Sequence, residues 1–449
     1  MSFFTRLDQT VSRLRVAVPL LLLVFAYRLA FGLSTEFFFS DELQVYLIGL
    51  KFFTSGQWPF FGPDLVLRDG PISQIPGALQ GVLVGLPFFA APVPEAPFVL
   101  LNLLSFCALV FLAWYGCRRV AVLPRWLVYG LALTLPWTLF YSAHVVNPSY
   151  VLCGAVVFWV GVVEAAVFPD QPLLPRRLAD YMQGFGLVWI MQLHMSWTLL
   201  LPFALIAWIV RVRRGEGLLA LGALLLGCAT TGALLVPTFL RHDPFAVAST
   251  RVALQFNPIN ARDLGSIAAK ILSFASYELP RFIGESPRAR MGWLTSDWRI
   301  APFAFFSLGI GLLQPIAFLL LWFRRREVAP GWTGVKALAA STILITWLMY
   351  LFTVREPWAL TFYLTLPMAF LYSLYCYAIF LKGRWWLSLG ALVLLAGLVT
   401  QTALAHRNLV NRSQYPYRGS LYVARDRVVK AIEARDYRLL GERRAGTFY

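Results

Sequence analysis

Apolar blocks of about 20 residues recur along this sequence, and short charged joints separate them. A helix of about 20 residues spans a bilayer core of ~30 Å. The alternative membrane architecture, a closed β-barrel, requires ~10-residue segments of alternating polarity, which the sequence lacks. The chain is 59% hydrophobic and 14% charged, whereas about a quarter of the residues in a soluble domain are charged. The blocks therefore predict an all-α polytopic membrane protein.

The basic residues of the chain, which give it a formal charge of +17, cluster at the ends of these blocks. That placement follows the positive-inside bias of membrane proteins, so we predict membrane lipids as neighbours and no nucleic-acid partner. The cysteines show no paired or metal-type spacing, which favours packing roles and no metal site. The first block lacks a signal-peptide cleavage site, which predicts an uncleaved first span.

The charged joints predict about eleven crossings, with the N-terminus in the cytoplasm and the C-terminus outside a bacterial inner membrane. Block 71–92 is interrupted by Pro76 and Pro87 and predicts an outer-leaflet or re-entrant helix that does not cross. Block 184–210 predicts a hairpin of two short helices whose turn lies near 192–196. The other crossings are predicted at 16–33, 97–116, 122–142, 148–168, 217–239, 301–323, 335–354, 358–380 and 385–405. A reporter fused at Arg118 that reads extracytoplasmic would contradict this topology.

We predict one transmembrane domain over 1–405, followed by a short basic extracytoplasmic tail at 406–449. Two outer loops of the domain, 34–96 and 240–300, are long. Loops of such length in a compact protein are usually functional, which places the predicted function on the outer face. Both loops predict juxtamembrane helices, one of them amphipathic with Asn260 as its N-cap.

An adjacent pair of acids, Asp41 and Glu42, follows the first span. Ser40 is a suitable N-cap and Gly56 a suitable stop, so the pair occupies the first turn of a predicted helix. Acids in a first turn stabilise a helix by ~0.3–1 kcal/mol without any further role. Charged side chains beside the hydrocarbon are nevertheless costly and tend to be functional. Both readings stay open from these residues alone.

Several further motifs follow the acid pair in a fixed order. They are Tyr46, Gly56-Gln57-Trp58-Pro59, Gly70-Pro71, Tyr115-Gly116-Cys117-Arg118-Arg119, Gln192-Leu193-His194-Met195-Ser196, and Arg355 ahead of Tyr363 and Pro367. Together with the topology, this order resembles the GT-C superfamily of membrane glycosyltransferases. It is most similar to bacterial proteins related to protein O-mannosyltransferases and to the aminoarabinose transferase of lipid A. The resemblance covers residues 1–405.

The resemblance implies transfer of a hexose or pentose from a polyprenyl-phosphate carrier to a lipid, glycan or protein acceptor on the outer face, with inversion at the anomeric carbon. It implies Asp41 as the catalytic base and Glu42 as the second catalytic acid, which orients the acceptor, supports the helix or holds a divalent cation. We predict no metal as the default, and a divalent cation is left open. The substrate-binding residues that we predict are Arg68, Asp69, His194, Arg355 and Tyr363.

The chain departs from its relatives at two motifs. Many carry Lys-Pro-Pro or His-Lys-Pro where this chain has Asp69-Gly70-Pro71, and many carry an acid or an arginine in the loop that here reads His144-Val145-Val146-Asn147-Pro148-Ser149. The second departure leaves the second catalytic group open.

Two other functions fit the blocks and the basic residues. An O-antigen ligase or polysaccharide polymerase would use an outer loop rich in arginine and histidine, such as 240–300 with His242 and Arg281. A lipid-carrier flippase or transporter would place charges inside the spans, where Arg28 and Glu164 are the candidates. If Asp41→Asn leaves glycosylation intact while changes at His242 or Arg281 abolish it, the ligase interpretation is favoured.

Overall fold

The computed structural model describes residues 3–11, 13–35, 41–65, 73–242, 255–274, 287–324, 326–353, 359–381, 383–410 and 421–441. The described chain is almost entirely helical, which confirms the predicted all-α class. Its helices are α1 Phe3–Val11, α2 Leu14–Thr35, α3 Asp41–Ser55, α4 Leu79–Ala90, α5 Ala96–Arg119, α6 Arg125–Thr134, α7 Pro136–Tyr141, α8 Asn147–Ala166, α9 Arg176–Met191, α10 Leu201–Arg213, α11 Gly217–Gly232, α12 Val236–Arg241, α13 Leu264–Ser273, α14 Pro287–Ser296, α15 Ala301–Leu320, α16 Trp332–Tyr350, α17 Leu366–Phe380, α18 Arg384–Val410 and α19 Leu421–Glu433.

Short irregular elements complete the chain. The 3-10 helices are Met195–Leu200, Ala233–Leu235, Pro258–Asp263, Leu321–Phe323, Ala359–Thr365 and Tyr437–Leu439. Two strands, β1 Phe61–Leu65 and β2 Ser73–Pro76, pair antiparallel, with Phe61 opposite Pro76. The sequence did not predict these strands. The outer helix expected from Pro71 begins instead at Leu79, after β2.

Within the described residues, nine helical segments are long and apolar enough to cross a membrane. They are Leu14–Thr35, Ala96–Arg119, Asn147–Ala166, Met195–Arg213, Gly217–Arg241, Ala301–Phe323, Trp332–Tyr350, Phe362–Phe380 and Arg384–Arg407. The other two predicted crossings correspond to α6–α7, which is interrupted, and to α9, which has 16 residues. The count of eleven therefore stays a prediction. Helix α4 has 12 residues and is about 18 Å long, too short to cross, in agreement with the prediction for its block.

Pro136 interrupts the third predicted crossing between α6 and α7. Proline has no N–H, so it cannot donate to the carbonyl of Ala132 one turn earlier. The hydroxyl of Thr138 donates to that carbonyl instead, at 2.9 Å. The break thus keeps the carbonyl of Ala132 satisfied while it changes the course of the chain toward the loop at 142–146.

Helices α9 and α10 form the predicted hairpin, and its turn begins at Gln192. Helix α9 also packs closely along α11, where Gly184 faces the carbonyl of Leu224 and Gly227 faces the carbonyl of Tyr181. Small residues at such contacts let two membrane helices approach closely.

Replacing Gly184 by alanine is expected to destabilise the protein, because a Cβ there would overlap the Leu224 carbonyl oxygen. Overpacking of this kind costs ~1–3 kcal/mol. Gly222→Ala in α11 is the matched control, since nothing lies within 4 Å of a Cβ at that position. Thermal unfolding of the purified protein in detergent measures both, and equal midpoints for the two variants would contradict the close packing.

The charged joints predicted to be cytoplasmic meet at one end of the bundle. The Asp8 carboxylate accepts from the backbone N–H of Arg125 at 2.6 Å, which brings α1 to the joint after α5. Arg214 pairs with Asp170 at 2.7 Å, which joins two further joints. The carbonyl of Phe60, at the other end, accepts from Thr238 at 2.9 Å. These contacts place joints at two ends of the bundle, and the side of the membrane that each end faces stays a prediction.

The predicted tail packs onto this second end. The guanidinium of Arg425 in α19 pairs with Glu95 at 2.9 Å, and Gly441 lies against the Leu47 side chain in α3. Helix α19 agrees with the helical stretch predicted near 420–440, and α18 runs past the boundary predicted at 405.

Candidate active site

Helix α3 lies between the first and second candidate spans and carries Asp41 and Glu42 in its first turn. It ends at Ser55, and Gly56 follows with a φ of +69°. This left-handed conformation suits glycine, as the predicted stop requires. Most of the helix from Gln44 to Lys51 is buried, whereas Asp41 is exposed and Glu42 is half-buried. The acid pair is therefore held at the end of a well-packed helix. Ser40, the predicted N-cap, lies outside the described residues.

Helices α3 and α4 pack closely against each other. Ile48 contacts α4 at Gly81, and Phe52 contacts it four residues later, at Gly85. The turn at Gly77 follows β2 and leads into α4, which begins at Leu79.

Gln192, at the turn of the α9–α10 hairpin, contacts the same place. Its Cγ lies 2.7 Å from where a Cβ on Gly77 would stand, so only glycine fits there. The Gln192 amide donates to the carbonyl of Thr231 at 2.9 Å. The predicted polar hairpin tip therefore packs against the turn that leads into α4.

The carboxyl group of Glu42 differs from that of Asp41 in its surroundings. Burial raises the pKa of Glu42 to about 8, with a further contribution from the charge of the neighbouring Asp41. A carboxyl group with that pKa is largely protonated near neutral pH and can donate a hydrogen bond. The two acids therefore differ: Asp41 is exposed, whereas Glu42 is half-buried and its pKa is raised.

The raised pKa of Glu42 predicts a stability that depends on pH. The folded state holds this proton up to a pH of about 8, whereas the ordinary pKa is 4.5. The contribution of Glu42 to stability should therefore be lost progressively as pH rises from about 5 to 8. Glu42→Gln should remove this loss and stabilise the protein at pH 8 by more than about 1 kcal/mol. Unfolding in detergent at pH 5, 6.5 and 8 measures it. Glu433→Gln, at an exposed position of α19, is the control, and parallel pH profiles for wild type and Glu42→Gln would contradict the burial of this carboxyl.

His144 lies beside the end of the first span. Its Nε2 is 2.9 Å from the hydroxyl of Thr35, the last residue of α2. The Phe140 ring packs edge-on against the imidazole, with centroids 4.5 Å apart. Burial lowers the pKa of His144 to about 3, so the ring is neutral at physiological pH. The hydrogen bond between His144 and Thr35 therefore ties the loop 142–146 to the end of α2, the helix that precedes α3.

His194 caps the 3-10 helix that follows it. Its Nδ1 accepts from the backbone N–H of Ser196 at 3.2 Å, and burial lowers the pKa of the imidazole to about 4. The ring is therefore neutral and positions the hairpin turn. Contact between His194 and a substrate stays a prediction.

Tyr363 lies in the 3-10 helix Ala359–Thr365. Its side chain is buried, its hydroxyl donates to the carbonyl of Trp137, and its ring meets Phe274 edge-on at 6.1 Å. These contacts give Tyr363 a role in packing. A substrate-binding role for Tyr363 stays a prediction. The other predicted binding residues, Arg68, Asp69 and Arg355, lie outside the described residues.

The predicted amphipathic outer helix forms, but Asn260 does not cap it. Asn260 is buried inside the preceding 3-10 helix, where its amide donates to the carbonyls of Tyr350 at 2.8 Å and Thr353 at 3.1 Å. The prediction of Asn260 as N-cap was therefore wrong. The long-range bonds to the end of α16 outweigh the local capping preference.

Cationic side chains of the tail pack on α3. The ammonium of Lys51 is 5.4 Å from the Tyr437 ring centroid, and the Arg435 guanidinium is 5.5 Å from that of Phe53. Both distances are within the range of cation–π contacts. Helix α3 is thus held by α4 on one side and by tail residues on another.

Arg28, inside α2, was predicted only as a candidate inward charge of a transporter. Its side chain is fully buried and donates to the carbonyl of Leu133 at 2.7 Å, to that of Thr138 at 3.2 Å and to the hydroxyl of Ser142. Leu133 lies in the last turn of α6, where carbonyls lack helical partners. The sequence does contain a signal for the bonds between Arg28 and the α6–α7 segment. That signal is an arginine inside one span and a proline, Pro136, inside another.

Glu164, the other candidate inward charge, is engaged at the opposite end. Its carboxylate accepts from the Tyr115 hydroxyl at 2.6 Å and from the backbone N–H of Leu173 at 2.7 Å, and it pairs with Arg119. These bonds tie α5, α8 and the following joint together, which is a structural role. Among the described residues no cluster of three or more His, Cys, Asp or Glu could hold a metal ion, and a divalent cation stays open.

No protein-family model and no curated protein matches the chain. A solved structure similar to it is that of ArnT from Cupriavidus metallidurans bound to undecaprenyl phosphate, with 14% sequence identity and a TM-score of 0.45. The similarity covers 96% of this chain and 77% of the ArnT chain.

Proposed function

We propose that this protein is a membrane glycosyltransferase that moves a hexose or pentose from a polyprenyl-phosphate carrier to an acceptor hydroxyl on the extracytoplasmic face. The observation that carries the proposal is the acid pair Asp41–Glu42, held outside the candidate spans in the first turn of the well-packed helix α3. The order of motifs that resembles the GT-C superfamily supports the same reaction.

Asp41 is the proposed base. In an inverting transfer the acceptor oxygen attacks the anomeric carbon, the carboxylate takes the proton of that hydroxyl, and the bond from the anomeric carbon to the phosphate oxygen breaks. Asp41 is exposed at the first turn of α3, near the positive end of the helix dipole. An accessible carboxyl group is what a general base requires.

Glu42 is proposed to orient the acceptor or the first turn of α3 as a hydrogen-bond donor. The raised pKa keeps this side chain largely protonated near pH 7, and a carboxylic acid is a poor ligand for a divalent cation. The structure around Glu42 thus favours the first of the roles left open by the sequence.

The leaving phosphate requires cationic or hydrogen-bonding groups. Arg355, Arg68 and Asp69 stay proposed contacts of the donor, as does His194. The carrier is a lipid, so the donor reaches the site from the bilayer, and the acceptor class stays a lipid, glycan or protein. We further propose that the N-terminus lies in the cytoplasm of a bacterial cell and the C-terminal tail outside, following the charge bias of the joints.

The experiment that tests the function is a transfer assay on the purified full chain in liposomes. Polyprenyl-phosphate hexoses and pentoses are supplied one at a time with an outer-membrane and cell-wall extract as acceptor, and released polyprenyl phosphate is measured. Release that depends on acceptor and is absent from empty liposomes is the expected result. A protein that moves the intact donor across the bilayer without release would be a flippase, and the proposal would fail.

A further inference from the structure

The loop from Ser142 to Val146 joins α7 to α8 at the outer end of the bundle. Its two ends meet different elements. Ser142 accepts from the buried Arg28, and its carbonyl accepts from the Ser105 hydroxyl at 2.8 Å. Its other end leads into the first turn of α8, which begins Asn147-Pro148-Ser149.

Two sources of positive potential converge on this loop. Helix α8 has 20 residues and begins here, so the positive end of its dipole points at the loop. Arg28, bonded to Ser142, carries a full charge and is bonded to oxygens of neutral groups. Among the ion pairs of the described residues none involves Arg28. Buried charges usually have a counter-charge, and here the described chain supplies none.

The first turn of α8 also carries polar side-chain atoms that lack a partner. The hydroxyl of Ser149 is fully buried, and it has no hydrogen bond within the described chain. The side-chain oxygen of Asn147 is likewise buried without a partner there, while the residue itself is half-buried. A buried polar atom without a partner is uncommon in native proteins and calls for a ligand or an ordered water.

The backbone groups in the first turn of α8 restrict which kind of ligand could bind there. Val146 offers no side-chain cap, Pro148 has no N–H, and the N–H of Ser149 already donates to the carbonyl of Val146 at 3.1 Å. The side-chain donors of this turn include the Ser149 hydroxyl and the Asn147 amide, whose oxygen and nitrogen are interchangeable by a flip. Side-chain donors at a helix N-terminus favour an anion with several acceptor oxygens.

We propose that the first turn of α8, through Ser149 and Asn147, binds the phosphate group of the lipid carrier. The identity of the anion rests on the proposed function, whereas the anion site itself rests on the geometry. The site occupies the loop in which the sequence departs from its relatives. It is joined by the His144–Thr35 contact, 2.9 Å long, to the end of the span that leads into α3, so a phosphate bound there is on the same side of the bundle as Asp41.

Binding of a short carrier analogue tests the site without any sugar or acceptor. The full chain in detergent is titrated with farnesyl phosphate and, in parallel, with farnesol, and the dissociation constants are read from tryptophan fluorescence. Farnesyl phosphate should bind the wild type at least tenfold more tightly than farnesol. Ser149→Ala should weaken farnesyl phosphate at least fivefold, and Asn147→Asp, which puts a negative charge in the same shape, at least fiftyfold. Farnesol binding should be unchanged in both variants.

The matched control is Ser373→Ala, a buried serine in α17 whose hydroxyl bonds within its own helix at 2.6 Å. It should bind both ligands as the wild type does. Asn147→Asp is nearly isosteric and keeps the proposal falsifiable if Ser149→Ala fails to fold. Wild-type affinity for farnesyl phosphate in Asn147→Asp would overturn the site.

The same variants separate this site from the proposed function. If Asp41→Asn retains transfer while Asn147→Asp loses farnesyl phosphate binding, the proposed base is wrong and the phosphate site stands. If Asp41→Asn is inactive while Asn147→Asp binds farnesyl phosphate normally, the function stands and the phosphate lies elsewhere.

Discussion

Asp41→Asn is expected to lower the rate of sugar transfer by ~10²-fold or more, because a general base contributes ~10²–10⁴-fold to such a step. Asparagine has nearly the same shape but cannot accept the acceptor's proton. Binding of the carrier phosphate should change little, so the loss should appear in the maximal rate. Release of polyprenyl phosphate by the purified protein in liposomes measures it.

Two matched variants accompany this experiment. Glu42→Gln, the neighbouring position, should keep a large part of the activity, because a glutamine can still donate a hydrogen bond as the protonated Glu42 does. Glu95→Gln removes another acid of the same end, which pairs with Arg425 at 2.9 Å, and should keep wild-type activity. Full activity in Asp41→Asn would remove Asp41 from the mechanism, and equal losses in all three variants would indicate a general effect on folding.

Arg28→Met is expected to destabilise the protein by ~2–4 kcal/mol. The change removes the donor to the Leu133 and Thr138 carbonyls and to the Ser142 hydroxyl. Each buried acceptor left without a partner costs ~1–3 kcal/mol, and the removal of a buried charge offsets part of that cost. Unfolding of the purified protein in detergent, followed by circular dichroism, gives the change in free energy.

Arg15→Met is the control for Arg28, because it lies in the same helix and is exposed. Its unfolding should match the wild type within ~0.5 kcal/mol. If Arg28→Met also unfolds as the wild type does, the interrupted α6–α7 segment does not depend on Arg28 for its hydrogen bonds.

The sequence predicted the elements whose signal is local. The length of an apolar block determines whether it can cross a membrane as a helix. The nine candidate spans of the described residues accordingly agree with predicted blocks. Helix α3 follows from its apolar face and from Gly56. The hairpin turn at Gln192 followed from the charge balance of the joints, which requires block 184–210 to begin and end on one side.

The sequence did not predict features that depend on distant partners. Strand β2 was expected to be helical. A strand of four residues is too short to show an alternation of polar and apolar side chains, and the sequence did not identify β1 as its partner. Asn260 has the side chain of a good N-cap, yet its bonds go to Tyr350 and Thr353. In the sequence, the start of α8 was noticed only because it departs from a family motif. The burial of Ser149, which the sequence does not show, is the basis for the proposed phosphate site.

The contact between the tail and α3 has a consequence for how the protein is made. The pair Arg425–Glu95 joins positions 330 residues apart, and Lys51 meets Tyr437 from a still more distant part of the chain. The early segments therefore lack these contacts until the tail has been synthesised, because contacts between distant parts of a chain form late. During biogenesis we expect the helix that bears Asp41 to be open to proteases until α19 has docked. A stop codon ahead of α19 should accordingly yield inserted but short-lived protein, which a pulse-chase measurement would show.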